Sequence, residues 1–573
     1  MLAVVALGAA ISCKRKPTGA AAAASASSSP LASVSAIPLA QASAVPVGAT
    51  LAATQMSTWI HAEPRFGSTK LGYLRAGAII GRADKSAGSA GCQGGWYAVK
   101  PVGFVCIGDA ATLEPAHPVV KVTNHRRPDL EKPMPYRYGF IRAVAPQYLK
   151  VPTKEEQLQY EFKLVNHLAF YAKHEAELNT TWPGANDVPP EEWGKPLTKA
   201  QISPDAAPPK KSKPKPKDKD DEGDEADEAD EPDAPSPLSS KLSLLELFGA
   251  DTAAEKAPWW LAGGERQVPH LSSFVAPKYA VIAGRVKRHT GLALIDAFET
   301  GPEADGRKFA ITTDLRLVPV DKLKPNVGSQ WHGVELSGEL TLPLAFAFRP
   351  EFKKDQKTGR KPIKAYKLEG DKLVESGSLF FRQAVALTGK DKTIGGTRYF
   401  ETKDARWLRK QDIVIARKPD EWPAFAKGTQ KWLDISIIKQ TLILFEGDKP
   451  VFATLISTGQ DGIGDPKTTK STVRGTFRIR DKHVTTTMDA NEVGNKFELR
   501  DVPWVQYFEA GYALHAAYWH DVYGLSRSHG CVNISPIDAR RVFFWTDPPL
   551  PPGWHGVTAG DDTAKGTMVY SHI

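Results

Sequence analysis

The stretch of sequence that decides the fold is GYALHAAYWHDVYGLSRSHGCVNISPIDARRVFFW, residues 511–545. Within seventeen residues it places three histidines and one cysteine: His515, His520, His529 and Cys531. A cysteine enzyme needs a thiolate nucleophile, an imidazole that takes and returns a proton, and donors for a developing oxyanion. Cys531 can be the thiolate, and His515, at the end of a predicted strand, is the best candidate for the base. Gly530 lets the backbone come close to a substrate.

Two other interpretations of these residues stay open. Histidine and cysteine are zinc ligands, but structural zinc sites use clean pairs with short spacers, and the five-residue step from His515 to His520 does not suit one helical face. The second alternative is a buried structural cysteine. We expect no metal at the site.

The segment Ser528–Asn533, SHGCVN, resembles the SHGCxN signature of L,D-transpeptidase catalytic domains of the YkuD type. The resemblance extends over about 140 residues. KQTLILFEGDKPVFATLISTG (439–459) is similar to the family's opening hairpins, RGTFRI (474–479) to its TPxGxFxI stretch, and GTMVYSHI (566–573) to its last strand. Val473 stands where the family usually has proline, which affects the rigidity of a turn and not the chemistry.

The resemblance implies a role for each matching residue. Cys531 would be the nucleophile and His515 the general base and acid, oriented by a backbone carbonyl. The amides of Gly530 and Cys531 would bind the oxyanion. The pocket would be shaped by Ser528 and His529, with Asn533 supporting the motif loop.

Further aromatic and polar residues are candidates for the substrate groove, with a polar rim or core packing as the alternative for each. These candidates are His520, Arg527, Tyr507, Trp519 and Trp504. The resemblance implies no metal and no organic cofactor.

The implied reaction is acyl transfer on peptidoglycan stem peptides. The enzyme would release D-Ala from a tetrapeptide stem and pass the acyl group to an amine, giving 3→3 crosslinks or a protein attached to the wall. The alternatives are an L,D-carboxypeptidase, in which water accepts the acyl group, and a non-catalytic wall-binding lipoprotein. A papain-like wall amidase is disfavoured because its cysteine precedes its histidine, whereas His515 precedes Cys531.

The N-terminus predicts export. Residues 1–13, MLAVVALGAAISC, are apolar and too short to span a bilayer, as in a secretory leader. Ser12 before Cys13 resembles a lipoprotein signal, so we expect Cys13 to be lipidated; an ordinary signal peptide is the alternative. Residues 14–50, rich in Ala, Ser and Pro, are predicted to be a flexible tether. We expect a periplasmic or cell-envelope protein.

Residues 51–115 alternate apolar and polar positions between glycine-rich turns, which predicts a small barrel. GYLRAG, GWYAV and GFVC resemble strands of bacterial SH3-like domains, which implies either wall binding or a spacer. Cys92 and Cys106, close together in an exported chain, are predicted to form a disulfide; two free thiols are the alternative.

The rest of the chain divides by composition. Residues 116–200 are a mixed helical segment, in which Leu158, Phe162, Val165 and Leu168 predict a core helix. Residues 201–240 are predicted to be a disordered charged linker. Residues 241–428 are predicted to be a β-rich module, with two SH3-like barrels as the alternative, and residues 429–573 are predicted to be the catalytic domain.

The predicted fold class is therefore mainly β: a β-sandwich-like C-terminal domain after SH3-like modules, one short helical region and disordered linkers. The composition agrees with this class, since the chain of 573 residues has 47 Gly and 44 Pro. After the N-terminus no run of eighteen apolar residues occurs, which excludes a polytopic membrane protein. The net charge is +9, but no nucleic-acid-binding motif is present, so we expect no nucleic acid partner.

Overall fold

The computed structural model describes residues 11–12, 48–124, 127–178, 258–261, 266–271, 276–277, 279–348, 362–492, 495–560 and 565–573. Most of the predicted leader and tether and all of the predicted linker lie outside these residues, as does Cys13. Within them, no helix is both long and apolar enough to cross a membrane. The described chain is mainly β, which confirms the predicted fold class.

The N-terminal module is a small β structure. Its strands are Thr50–Ala53 (β2), Thr58–His61 (β3), Lys70–Leu74 (β4), Ile79–Gly81 (β5), Trp96–Ala98 (β6), Phe104–Cys106 (β7) and Ala111–Thr112 (β8), and the separate strand Ile11–Ser12 (β1) pairs with the C-terminal domain. Cys92 and Cys106 are joined by a disulfide with their Cα atoms 5.8 Å apart. The SH3-like assignment stays a prediction.

The central module contains most of the helices. Its elements are Pro118–Asn124 (α1), Arg137–Ile141 (β9), Ala145–Tyr148 (β10), Lys154–Tyr160 (α2), Leu164–Leu178 (α3), Ile282–Val286 (β11), Gly291–Glu299 (β12), Lys308–Thr312 (β13), Leu317–Pro319 (β14) and Leu323–Asn326 (β15), with short 3-10 helices at Trp259–Leu261, Pro302–Ala304 and Val320–Lys322. Strand β10 pairs with both β11 and β14. Segments on the two sides of the charged linker thus form one module, although the sequence assigned them to separate regions, 116–200 and 241–428.

The third module is a seven-stranded sheet without α-helices among its described residues. Its strands are Leu344–Ala347 (β17), Ile363–Glu369 (β18), Lys372–Leu379 (β19), Ala384–Ile394 (β20), Thr397–Thr402 (β21), Trp407–Arg409 (β22) and Ile413–Ala416 (β23), with a 3-10 helix at Lys410–Asp412. The short strand Val334–Glu335 (β16) precedes it and pairs with the C-terminal domain.

The described residues of the C-terminal domain form two sheets and one α-helix. Its elements are Lys431–Ser436 (β24), Thr441–Glu446 (β25), Lys449–Leu455 (β26), Gly475–Arg478 (β27), Asp481–Glu492 (β28), Asn495–Glu509 (β29), Tyr512–Ala516 (β30), Val532–Ile534 (β31), Pro536–Trp545 (α4), Gly556–Thr558 (β32) and Met568–His572 (β33). Helix α4 begins where Ser535 accepts a hydrogen bond from the Asp538 amide and Pro536 occupies the first turn. The hairpin of β25 and β26 is the one that the sequence predicted.

The core helix predicted from Leu158, Phe162, Val165 and Leu168 is wrong. Two helices, α2 and α3, occur there, and the side chains of Phe162 and Val165 are 83% and 67% exposed. The buried positions are instead Gln157, Glu161 and Leu164. The segment is helical, as the spacing predicted. Its inward face carries the polar Gln157 and Glu161 because the buried Arg307 forms hydrogen bonds with both side chains.

Each of the other modules shares a hydrophobic cluster with the C-terminal domain. Trp554 packs with the N-terminal module, Tyr518 with the central module, and Trp432 belongs to the same cluster as Phe346 of the third. Shared cores of this kind resist relative movement more than a flexible linker does. The C-terminal domain is therefore held on three sides by the rest of the chain.

Candidate active site

Two parallel strands bring the predicted histidine and cysteine together. Strand β30 pairs with β31 so that His515 is opposite Asn533. Cys531 lies two residues before Asn533, directly before β31, and it belongs to the same hydrophobic cluster as Ala513, which lies two residues before His515. The pairing therefore brings the segment of the motif cysteine alongside the strand that carries the histidine.

A backbone carbonyl fixes the orientation of His515. Its Nδ1 lies 3.1 Å from the carbonyl oxygen of the next residue, Ala516, and the side chain is only 2% exposed. A carbonyl can only accept, so Nδ1 carries the proton and Nε2 is left with the lone pair. His515 is therefore held in the tautomer that a general base acting through Nε2 requires, without an acidic third residue.

Cys531 is in a tightly packed turn. Its side chain is 4% exposed, and its Sγ lies 3.6 Å from the Gly511 carbonyl oxygen. The preceding Gly530 has a φ of 120°, and a Cβ there would come within 2.8 Å of the Tyr512 ring. This position therefore requires glycine both for its backbone angle and for space.

Ser528 holds the motif turn from within. Its hydroxyl donates to the Cys531 carbonyl oxygen and accepts from the Gly530 amide at 3.1 Å. The Gly530 amide, predicted as an oxyanion donor, is thus engaged inside the motif in this structure. For Gly530 to stabilise an oxyanion, this hydrogen bond would have to be exchanged.

His520 is a buried supporting residue. It is 1% exposed, so it does not lie at a groove surface, and Asn533 approaches its Nε2 to 2.8 Å. Its Nδ1 accepts a hydrogen bond from the Val522 amide, so the neutral ring carries its proton on Nε2. With the Asn533 side-chain amide oriented so that its oxygen faces Nε2, His520 donates a hydrogen bond to Asn533. Burial, and after it the positive charge of Arg527, holds the pKa of His520 well below its ordinary value.

The other predicted groove residues are in different environments. Trp519 is half-buried and stacks on His515 with ring centroids 5.6 Å apart. Arg527 is exposed at the end of the loop that leads to Cys531, and His529 is half-buried. Tyr507 and Trp504 are 2% and 0% exposed and belong to hydrophobic clusters, so core packing describes them better than a groove.

The sequence analysis missed residues that contact the motif from other strands and loops. Tyr512 packs on Gly530, and burial followed by the charges of Cys531 and Asp465 raises its pKa to about 12. Thr472 donates to the Gly530 carbonyl oxygen at 2.9 Å. Tyr512 could have been found from its place on the strand of His515, and Thr472 from its place at the first position of the TPxGxFxI stretch.

The described residues offer no group of three or more His, Cys, Asp or Glu side chains that could hold a metal ion. His515 and His520 each use ring nitrogens in the hydrogen bonds given above. The arrangement suits proton transfer beside a thiol better than metal coordination.

Fold and site together define a mainly β domain in which a strand with a histidine pairs with a strand that follows a cysteine. Residues 430–570 match the family model of the L,D-transpeptidase catalytic domain, YkuD, as the motif resemblance predicted. This part of the chain is therefore an L,D-transpeptidase catalytic domain of the YkuD family.

Solved structures of L,D-transpeptidases are similar to the chain. That from Xylanimonas cellulosilytica is 21% identical over 27% of this chain and 64% of its own, with a TM-score of 0.18. That from Stackebrandtia nassauensis is 23% identical over 26% of this chain and 60% of its own, with a TM-score of 0.17. The catalytic domain from Enterococcus faecium is 20% identical over 25% of this chain and 98% of its own, with a TM-score of 0.19. The chain thus spans less than two thirds of the first two, and no curated protein matches it.

Proposed function

We propose that the chain is a peptidoglycan L,D-transpeptidase in which Cys531 is the nucleophile and His515 is the general base and acid. The observation that carries this proposal is the pairing of β30, the strand of His515, with β31, the strand that directly follows Cys531, inside the domain matched by the family model. The carbonyl of Ala516, which orients the imidazole, supports the role of His515.

The first half of the proposed reaction forms an acyl-enzyme. Nε2 of His515 takes the proton of the Cys531 thiol. The thiolate then attacks the carbonyl carbon that joins the third residue of a stem peptide to D-Ala, and the carbonyl oxygen becomes an oxyanion. As the tetrahedral intermediate collapses, the C–N bond breaks and the His515 imidazolium gives its proton to the leaving amine of D-Ala. The products are a thioester on Sγ and free D-Ala.

The second half returns the enzyme to its starting state. An acceptor amine loses a proton to Nε2 of His515 and attacks the thioester carbon, after which the C–S bond breaks. A stem diaminopimelate amine gives a 3→3 crosslink, and a protein lysine gives a wall-attached protein. Water as acceptor would make the enzyme an L,D-carboxypeptidase. The chemistry uses no metal and no organic cofactor.

Because peptidoglycan lies outside the cytoplasmic membrane, the proposed reaction takes place outside the cytoplasm. The apolar leader and the residues around Cys13 support export and a lipid anchor, and the periplasm or cell envelope is the proposed location. Blocking lipidation with Cys13→Ala should release the protein from the membrane fraction of expressing cells. A Cys13→Ala protein that stays with the membrane would contradict the anchor.

Mass spectrometry of purified muropeptides incubated with the protein tests the proposed reaction. We expect a tetrapeptide dimer linked through two diaminopimelates, together with free D-Ala. Cys531→Ala should abolish both products, because the thioester cannot form. His515→Gln should lower the rate by about 10²–10⁴, the usual contribution of a general base.

The outcomes separate the alternatives. Loss of D-Ala without dimers would indicate hydrolysis, or an acceptor absent from the assay. No conversion by a folded wild-type protein would contradict the enzyme on this substrate and favour a non-catalytic wall-binding protein.

A further inference from the structure

A loop joins the two halves of the active site. Residues 517–527, here called the site loop, run from the strand of His515 to the motif of Cys531. The site loop carries Trp519, which stacks on His515, and His520, which holds Asn533. Any displacement of this loop would therefore move the groups around both reacting side chains.

A buried arginine from the third module holds the site loop. Arg382 lies between β19 and β20, and its Nη1 is 2.9 Å from Oδ1 of Asp521. Its Nη2 donates to the carbonyl oxygens of Asp521 at 2.8 Å and Tyr523 at 3.1 Å. Both charged side chains are essentially buried, at 0% and 2% exposed. These three hydrogen bonds, to the side chain of Asp521 and to two backbone carbonyls, hold the backbone of the loop as well as its charge.

Other groups complete the environment of this ion pair. Ser329 donates to Oδ1 of Asp521 at 2.8 Å. The guanidinium carbon lies 4.6 Å from the Phe381 ring centroid and 4.9 Å from that of Trp331. Because a buried charge is costly unless it is paired and hydrogen-bonded, removal of Arg382 would leave Asp521 in an unfavourable setting. We therefore expect the site loop to shift so that the Asp521 carboxylate can reach solvent.

The backbone at Arg382 also departs from the ordinary. Its φ is 64°, in the left-handed region that few residues other than glycine adopt. From this turn the arginine side chain points out of its own module and reaches the site loop.

We propose that Arg382 is a positioning residue of the active site, and that the third module is therefore part of the catalytic unit and not a spacer. It holds Asp521, and through the adjacent His520 and Trp519 it sets the placement of Asn533 and His515. The inference rests on the proposed pair of Cys531 and His515, but not on the identity of the substrate.

Alkylation of Cys531 by iodoacetamide tests this proposal without a substrate. The rate is measured from pH 5 to pH 9 by peptide mass spectrometry on the full chain, with Cys531→Ala as the blank. Arg382→Met should move the midpoint of the pH–rate profile to higher pH, because a displaced imidazole no longer supports the thiolate. A shift of one pH unit lowers the rate below the midpoint about 10-fold. Arg382→Lys, which keeps the charge but loses the planar fork, should fall between the two.

Arg406→Met is the matched control. Arg406 is in the same module and 6% exposed, but its side chain pairs with Asp404 and its hydrogen bonds do not reach the site loop. Its substitution should leave the alkylation profile where it is, even if the melting temperature falls. Arg382→Met with a wild-type profile would overturn the proposal.

A second pair of variants covers failure to fold. If Arg382→Met does not fold, Arg382→Lys and Asp521→Asn decide, since both keep the shape of the site and should each shift the midpoint upward. Wild-type profiles for both would overturn the proposal. A shifted profile in a protein that converts no muropeptide would keep the positioning role and contradict the proposed function alone.

Discussion

The central and third modules have the same pattern of strand pairing, although the sequence analysis did not recognise them as repeats. In the central module β9 pairs with β12 and β15, and in the third β17 pairs with β20 and β23. Likewise β10 pairs with β11 and β14, as β18 pairs with β19 and β22. The difference is where the chain is interrupted: α2, α3 and the charged linker stand between β10 and β11, where the third module has a tight hairpin.

One turn is repeated in detail. In TTDLR (312–316) and TKDAR (402–406) the threonine hydroxyl accepts from the arginine amide, at 3.0 Å and 2.9 Å. The residue before each arginine, Leu315 or Ala405, has a left-handed φ, of 55° and 61°. The pattern T-x-D-x-R thus marks the same turn in both modules. Its recurrence indicates that the central and third modules are two copies of one fold.

A second matching turn shows where the modules diverge. His289 has a φ of 67° and donates its amide to the Ile141 carbonyl oxygen, as Arg382, with a φ of 64°, donates to that of Ala347. His289 is exposed, whereas Arg382 is 1% exposed and reaches the site loop. One backbone position has therefore kept its conformation while its side chain faces solvent in one module and the active-site domain in the other.

The central module also has a buried arginine, which binds a different segment of the chain. Arg307 bonds Glu161 at 2.6 Å and 2.9 Å and Asp321 at 2.7 Å and 2.8 Å, all nearly buried. It thereby ties the end of α2 to the module, as Arg382 ties the site loop to the third. The comparison shows that the two modules use a buried arginine to attach different segments, and that in the central module Lys322 also pairs with Glu161, at 3.0 Å.

The largest expected effect is that of Arg307→Met. It would leave the carboxylates of Glu161 and Asp321 buried without their main partner, so we expect the free energy of unfolding to fall by about 3–5 kcal/mol in urea titrations. The alkylation profile of Cys531 should stay as in the wild type, because Arg307 serves the helices and not the site.

This result would sharpen the contrast with Arg382→Met, which should act on the profile. If Arg307→Met also shifted the pH–rate profile of Cys531 alkylation, loss of stability alone would be enough to alter the active site. The assignment of separate roles to the two arginines would then be wrong. A loss of stability below 1 kcal/mol would contradict the buried charge cluster.

The C-terminal domain could largely be predicted from the sequence. The motif at Ser528–Asn533, the histidine upstream and the hairpin around Gly447 all depend on residues that are close in the chain. Local turn chemistry and strand alternation determine such features, so a single sequence carries them. The orientation of His515 by a carbonyl was expected, but only the structure identifies Ala516.

The rest depends on pairings over long distances. Nothing local shows that β10 pairs with β11 across the linker, or that Arg382 meets Asp521, 139 residues away. The exposed face of α3 misled the prediction because apolar spacing is only a proxy for burial. There the polar Gln157 and Glu161 turned inward, since Arg307 satisfies both.

The acid limb of the stability curve is the next expected effect. Burial alone would raise the pKa of Asp321, but hydrogen bonds from His167 and Arg307 outweigh it and hold that pKa well below its ordinary value. A carboxyl with a depressed pKa in the folded state contributes stability above its unfolded pKa of about 3.9, and this contribution is lost as the pH falls further. We expect the free energy of unfolding to drop by about 2 kcal/mol from pH 5 to pH 2 on account of this residue.

Asp321→Asn checks this assignment. The variant should be less stable at neutral pH, and its free energy of unfolding should fall less steeply with acid than that of the wild type. Equal slopes below pH 4 would show that other carboxyl groups account for the acid limb. Asp412, at the matching 3-10 helix of the third module, is the control site, with Asp412→Asn measured over the same range.

The smallest expected effect tests the repeat itself. Thr312 and Thr402 are each 1% exposed and make the same hydrogen bonds to the turn. Each threonine-to-valine substitution, Thr312→Val and Thr402→Val, keeps the shape of the side chain and removes the hydroxyl, so each should lower the free energy of unfolding by about 1 kcal/mol. Equal losses would show that the turn carries the same stabilisation in both modules. A loss confined to Thr312→Val would mean that the central module depends on its turn because the hairpin there is interrupted, and that the two modules share their topology but not the energetics that maintain it.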